Sequence, residues 1–339
     1  MNAVLSRPRD RDALFRESPV VRAWDRKPPL VVVGLPRSGS SFLSHLLSQV
    51  EGLYVFDDLY LQDKARGIGA TGPLRDDQLD ELLDFLGWQI RARLRFGLYA
   101  IPNVSENEIE PMNDALRACF AGRGIHWTEL QEEWMTRIAL RSGCSRWGYK
   151  RPKSFRSADM LRRAYPGMRL LWLMRNPHDV LASYKHMSRS SQDGDPDQYH
   201  PATHALYWRM AARGYFQAAA EHCGEVALVR FEDLIADPHE QIRRIAGFVG
   251  AAAPARVEMP TRANSSFTGK RGRRAVTGLE AAMINRICWP LAGRMGFEQR
   301  SAPIAAADFA DVAVRTGRFA RYRLLKDPGR WRPQRVLSR

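Results

Sequence analysis

The stretch Gly34-Leu35-Pro36-Arg37-Ser38-Gly39-Ser40-Ser41-Phe42 holds the densest chemistry in the chain. Gly39 lets the backbone turn where a Cβ would clash. Small residues around it let backbone N–H groups converge on one anion, and Ser40 and Ser41 add hydroxyl donors. Arg37 adds a permanent cation whose planar fork binds two oxygens at once. A helix starting at the end of such a loop contributes unpaired N–H groups and the positive end of its dipole, which suits a phosphate. The nucleoside-triphosphatase form GxxxxGK[ST] differs, with a Lys after the last Gly and a hydroxyl on magnesium. Here the cation precedes Gly39 by two residues and no Lys follows it.

A second cluster is Arg175-Asn176-Pro177-His178-Asp179, with Ser183 eight residues after Arg175. An Arg at a strand end and a Ser two helical turns on can reach one phosphate. Alternatively, Arg175 satisfies the Asp179 carboxylate and Ser183 is a helix-surface serine. The residue types alone leave both readings open.

These residues need elements to hold them. Leu30–Val33, Leu170–Met174 and Val226–Val229 are short apolar runs bounded by turn signals, which predict buried strands. Apolar spacing predicts helices over Gln78–Phe96, about Asp179–Met187, about Thr203–Glu221 and Pro238–Val249. Thr128 and Gln131 fit a capping box opening a helix through Arg141. Residues 63–77 hold Gly67, Gly69, Gly72 and Pro73 and read as a mobile loop. Strands alternating with helices predict an α/β fold, a P-loop-type parallel sheet flanked by helices. We expect a polar arm at 1–27, a main domain at 28–300 with a helical insertion at about 59–146, and a basic C-terminal segment at 301–339.

The chain has 339 residues and 45% apolar content, enough for a sizeable core, and a net charge of +15. Such a charge points to anionic partners or to a solvated basic surface. Four cysteines without a CxxC pair give zinc or thioredoxin chemistry little support and fit a reducing compartment. The N-terminus lacks the apolar stretch of a secretory signal, and no run approaches a membrane span, so a cytoplasmic or peripheral location is expected.

Pro36–Phe42 and Leu173–Ser183 together resemble the two cofactor motifs of the sulfotransferases that use 3′-phosphoadenosine 5′-phosphosulfate (PAPS). The resemblance runs over roughly residues 30–270. It implies that Arg37, Ser38, Gly39, Ser40, Ser41 and Phe42 bind the 5′-phosphosulfate, and that Arg175 and Ser183 bind the 3′-phosphate. Trp147–Pro152 looks like the family's Lys-x-Pro element, with Lys150 in the lysine's place. Val229–Leu234 looks like the strand carrying an adenine-side aromatic; Phe231 stands where Tyr is frequent, which keeps stacking and loses a hydroxyl. Asn264–Gly272 is similar to the late loop that closes over the cofactor, offset by about one residue, and brings in Ser265, Ser266, Lys270 and Arg271. Arg37, where cytosolic members have Lys, is the style of the bacterial and tyrosylprotein-type members.

The resemblance further implies sulfuryl transfer to an acceptor hydroxyl, with Arg37 and Lys150 on the sulfuryl and leaving-group oxygens. No metal is expected. Counting from the first loop as in the tyrosylprotein-type members puts Asp58 of the pair Asp57-Asp58 at the catalytic base; the alternative is that the two cap a helix or face solvent. His126 is a second candidate base, and His45 reads as packing. The acceptor is a carbohydrate, lipid, small-molecule or peptide hydroxyl. The Arg-rich tail is a candidate for anionic surfaces, and no nucleic acid is expected. The rivals are a phosphotransferase and a non-catalytic basic protein on a nucleotide-binding fold.

Overall fold

The computed structural model describes residues 27–96, 104–187, 195–259 and 276–326. Five strands form one sheet: β1 (Leu30–Gly34), β2 (Leu53–Asp57), β3 (Arg146–Lys150), β4 (Arg169–Met174) and β5 (Val226–Arg230). All pairings are parallel, in the order β2-β3-β1-β4-β5. The three expected strands are there, and β2 and β3 join them. Charged residues at the ends of β3 and a glycine at its centre disguised it as a loop motif.

Alternate residues of a strand face opposite sides, so a sheet covered on both faces needs two cores. Leu30, Val32, Leu43, Leu46, Leu47, Leu171 and Leu173 belong to one. Val31, Val33, Phe56, Trp134, Trp172 and Trp208 belong to the other. The first is covered by α1 (Ser40–Leu47), which follows β1 directly. Between β2 and β3, the described residues form the α-helices α2 (Leu61–Gly67), α3 (Asp76–Phe96), α4 (Ile109–Phe120) and α5 (Trp127–Arg141). Part of the stretch expected as a mobile loop is therefore helical, because Leu61 and Ala65 of α2 are buried in the core. The capping box of α5 also sits two residues earlier than expected. His126 and Glu129 make it, with the His126 side chain accepting from Thr128 N. A histidine ring nitrogen serves there in place of the usual Ser, Thr, Asp or Asn oxygen.

After α6 (Ala158–Ala164) and β4 come α7 (Pro177–Lys185) and α8 (Pro201–Glu221). Then follow α9 (Phe231–Ala236), α10 (Pro238–Val249), α11 (Gly278–Cys288), α12 (Leu291–Arg294) and α13 (Ala306–Lys326). The start of the basic tail is thus the helix α13, which packs against α11. Among the described residues, no helix is long and apolar enough to cross a membrane.

Candidate active site

The sheet explains why residues far apart in sequence meet. Each strand delivers candidate groups at or just beyond its carboxyl end: Arg37 after β1, Asp57 and Asp58 at the end of β2, Lys150 at β3, Arg175 after β4 and Phe231 after β5. Ligands of open α/β sheets bind along that edge, where strand order reverses. β1 is the reversal point here, flanked by β3 on one side and β4 on the other.

The loop after β1 turns through Gly39 at φ 91°. A Cβ on Gly39 would lie 2.1 Å from the Phe231 ring, so only glycine lets that ring close on the loop. Phe42 meets the same ring edge-on at 6.2 Å. The Arg175 guanidinium stands 4.7 Å from its centroid, in a cation–π arrangement. Arg37 Nε donates to Ser183 Oγ at 3.1 Å, joining the first loop to the Arg175–Ser183 element across 146 residues. Asp179 meets Arg300 through both oxygens, at 2.8 and 3.0 Å.

α1 leaves its first N–H groups without partners inside the helix, as every helix does. Beside them the Ser38 hydroxyl is fully buried and has no hydrogen-bond partner among the described residues. An orphaned donor beside the N-terminus of a helix fits an anionic oxygen. The donor set therefore suits a phosphate-bearing ligand.

Lys150 is the centre of the other half of the site. Its Nζ lies 2.9 Å from Asp57 Oδ1 and 2.7 Å from Asp58 Oδ1. It also donates to Ser41 Oγ at 3.3 Å, which ties it to the loop and helix that follow β1. Asp57 and Lys150 are register partners on neighbouring strands, so their side chains leave the sheet on the same side. Arg93 of α3 approaches both carboxylates, at 3.8 Å each. Burial pushes the Asp57 carboxyl up, Lys150 pulls it back and the Asp58 charge adds to the rise; the net direction is upward.

Arg37 at φ 71° and Asp58 at φ 57° are the non-glycine residues with positive φ among the described residues. Holding such a residue in that region costs about 1–3 kcal/mol. Both strained positions lie in this site, and both are residues to which the sequence assigns chemistry.

Supporting residues escaped the sequence reading. The Trp208 indole of α8 donates to Arg175 O at 2.9 Å. Asn176 caps α7 through His178 N and donates to Glu298 O. Arg93 and Gln89, four residues apart on α3, reach the Asp57–Tyr60 segment. The usable signal for Gln89 was a polar residue beside Ile90 in an apolar stripe. His126 is committed to capping α5, and His45 lies half-buried on α1, where burial lowers its pKa. Ser265, Ser266, Lys270 and Arg271 lie outside the described residues.

A model of the sulfotransferase family matches residues 28–254, and the chain belongs to that family. Membership of the family supports an enzyme of sulfuryl transfer. Among solved structures, it is similar to the sulfotransferase domain from the curacin biosynthetic pathway at 16% identity, with 86% of this chain and 99% of that one covered and a TM-score of 0.47. The sulfotransferase domain of the Synechococcus PCC 7002 olefin synthase gives 18% identity, 82% and 100% coverage and a TM-score of 0.48. A sulfotransferase from Alicyclobacillus acidocaldarius gives 16%, 79% and 94%, and 0.43. No curated protein matches the chain.

Proposed function

We propose that this protein transfers the sulfuryl group of PAPS to an acceptor hydroxyl, leaving a sulfate ester and adenosine 3′,5′-bisphosphate. The observation that carries the reading is the Arg37–Ser183 hydrogen bond. It sets two anion-binding segments side by side, as a ligand with phosphates at both the 5′ and 3′ positions requires. Arg175 and Ser183 take the 3′-phosphate, and Phe231 offers its ring to the base. Arg37, Ser38, Ser40, Ser41 and the start of α1 take the phosphosulfate.

PAPS supplies an activated sulfuryl group; the chain supplies orientation, charge and a proton acceptor. Asp58 takes the acceptor's proton as the new O–S bond forms. Lys150 and Arg37 meet the negative charge that grows on the bridging oxygen as its bond to sulfur breaks. Lys150 is bound to Asp57 and Asp58 before the ligand arrives, at 2.9 and 2.7 Å. Its move toward the ligand frees Asp58 for the acceptor, while buried Asp57 stays behind as the anchor. The acceptor is a hydroxyl compound.

Titrating PAPS against ATP tests the donor. Preference for PAPS supports this reading, preference for ATP supports phosphotransfer, and binding of neither leaves a non-catalytic basic protein. Incubation of a cell extract with radiolabelled PAPS then finds the acceptor by the label it gains.

A further inference from the structure

We propose that Gln89 of the insertion is a positioning residue for Asp58, holding its backbone in the left-handed conformation from which the carboxylate meets Lys150. This rests on Asp58 being the base. Gln89 lies in the middle of α3 and is only 4% exposed. Both ends of its amide are used. Its Oε1 accepts from Tyr60 N at 3.1 Å, and its Nε2 donates to Asp58 O at 3.1 Å.

Three physical arguments converge on this clasp. β2 ends at Asp57, so the backbone beyond it has no strand ladder to satisfy its N–H and C=O groups. A side-chain amide, with one donor and one acceptor edge, replaces a neighbouring strand for the two residues that flank Leu59. Second, Gln89 sits among buried apolar residues of α3, with Leu82, Leu83, Leu86 and Ile90 around it, and the other buried amide of that face, Gln78, is likewise bonded at both ends. An amide placed there is tolerated only because both its groups are bonded. Third, a positive φ at an aspartate persists only where the surroundings over-determine it. Asp58 is fixed at its carbonyl by Gln89 and at its carboxylate by Lys150, with Arg93 one helical turn from Gln89 facing the same carboxylate. The helical insertion therefore also sets the base.

The alternative role is plain stitching of α3 to the sheet. Three variants separate the two: Gln89→Met, which keeps the length and loses both bonds; Gln89→Glu, which keeps the acceptor for Tyr60 N–H; and Asp58→Asn. They are compared by PAPS affinity, label transfer from radiolabelled PAPS to the cell extract, hydrogen exchange at the Tyr60 amide, and a crystal structure. For Gln89→Met we expect PAPS affinity unchanged, an unprotected Tyr60 amide, Asp58 relaxed to negative φ and transfer slowed by about 10–10²-fold. In the Asp58→Asn background the same change should slow transfer no further. Wild-type transfer by Gln89→Met, with Asp58→Asn slow, overturns the positioning role and leaves the base in place. An equal slowing in both backgrounds also overturns it, since Gln89 then acts elsewhere. Normal transfer by Asp58→Asn overturns the base and this inference with it. Should Gln89→Met fail to fold, Gln89→Glu decides: a protected Tyr60 amide with slowed, Asp58-dependent transfer supports the clasp, and a wild-type rate sinks it.

Discussion

Two buried charge clusters in this protein have almost the same composition and different meanings. In each, one lysine sits between two carboxylates with an arginine close by. At the sheet edge these are Lys150, Asp57, Asp58 and Arg93. Beyond α7 they are Lys185, Glu280, Asp311 and Arg315, with Lys185 at 2.7 Å from Glu280 and 3.3 Å from Asp311. In the second cluster every bond also does structural duty. Glu280 is wholly buried, closes the capping box of α11 with Thr277 and accepts from the Tyr199 hydroxyl at 3.1 Å. Arg315 and Asp311 lock α13 onto the body. None of its members has a positive φ. In the first cluster, Asp58 is strained and touches a lysine that also reaches the loop after β1. A buried ion cluster alone does not mark a site; what sets the first apart is the strain at Asp58 and a place at the carboxyl edge of the sheet.

The largest effects should therefore divide cleanly between the clusters. Asp58→Asn keeps the shape and removes the proton acceptor, so turnover should fall by about 10²–10⁴-fold with PAPS binding and melting temperature preserved. Asp57→Asn, tested alongside, tells which member of the pair is the base. Glu280→Gln should do the reverse. Breaking a buried pair costs up to about 3–5 kcal/mol, of which Asp311 retains a share, so the protein should melt earlier and turn over normally per folded molecule. A thermally silent, inactive Glu280→Gln protein would abolish the distinction.

Arg37→Ala comes next, with turnover reduced by about 10²–10³-fold, the usual value of one donor aimed at developing charge. Alanine inherits the positive φ, so Arg37→Gly, which relieves it, serves as the stability control. Near wild-type sulfation by either folded variant would remove the first loop from the chemistry. Smaller again is Arg175→Ala. It should weaken PAPS by about 1.5–3 kcal/mol while leaving adenosine 5′-phosphosulfate, which lacks the 3′-phosphate, much less affected. Equal weakening of both ligands in parallel titrations would make Arg175 structural.

The chain shows one half of this contrast in its sequence and hides the other. The strand–loop–helix unit at Gly34–Phe42 was legible because a β-branched run, a Gly/Ser turn and a helical pattern follow within a few residues, and the parallel α/β class followed from the same alternation. The spacing of Arg175 and Ser183 left two readings open, and the structure brings Ser183 to Arg37 and Arg175 to the Phe231 ring. Asp58 was reachable only by comparison of distances from the first loop. Its partners were not, since Gln89 and Arg93 meet it from 31 and 35 residues away in sequence, through side chains that reach from α3 to the end of β2. The Lys185 cluster was equally hidden, because Glu280 and Asp311 lie far down the chain. His126 drew attention as a titratable ring, and its role as a helix cap depends on a side-chain geometry that residue type does not specify.

The smallest expected effect is a dependence on pH, and it concerns the anchor rather than the base. Burial raises the Asp57 carboxyl against the pull of Lys150, helped by the Asp58 charge. Its folded-state pKa is therefore above the unfolded value of about 3.9. The folded protein holds that proton more tightly than the unfolded chain does. The stabilisation from this group is thus fully present below the unfolded pKa and is lost as pH rises through the folded one. Asp57→Asn cannot ionise and lacks this loss. In melts run from about pH 4 to pH 7, the melting temperature of Asp57→Asn relative to wild type should rise with pH. A difference that instead moves in favour of wild type as pH rises would show that the attraction of Lys150 outweighs burial, and that Asp57 is held as a stabilising ion pair like Glu280. In that case the contrast between the two clusters would rest on Asp58 alone.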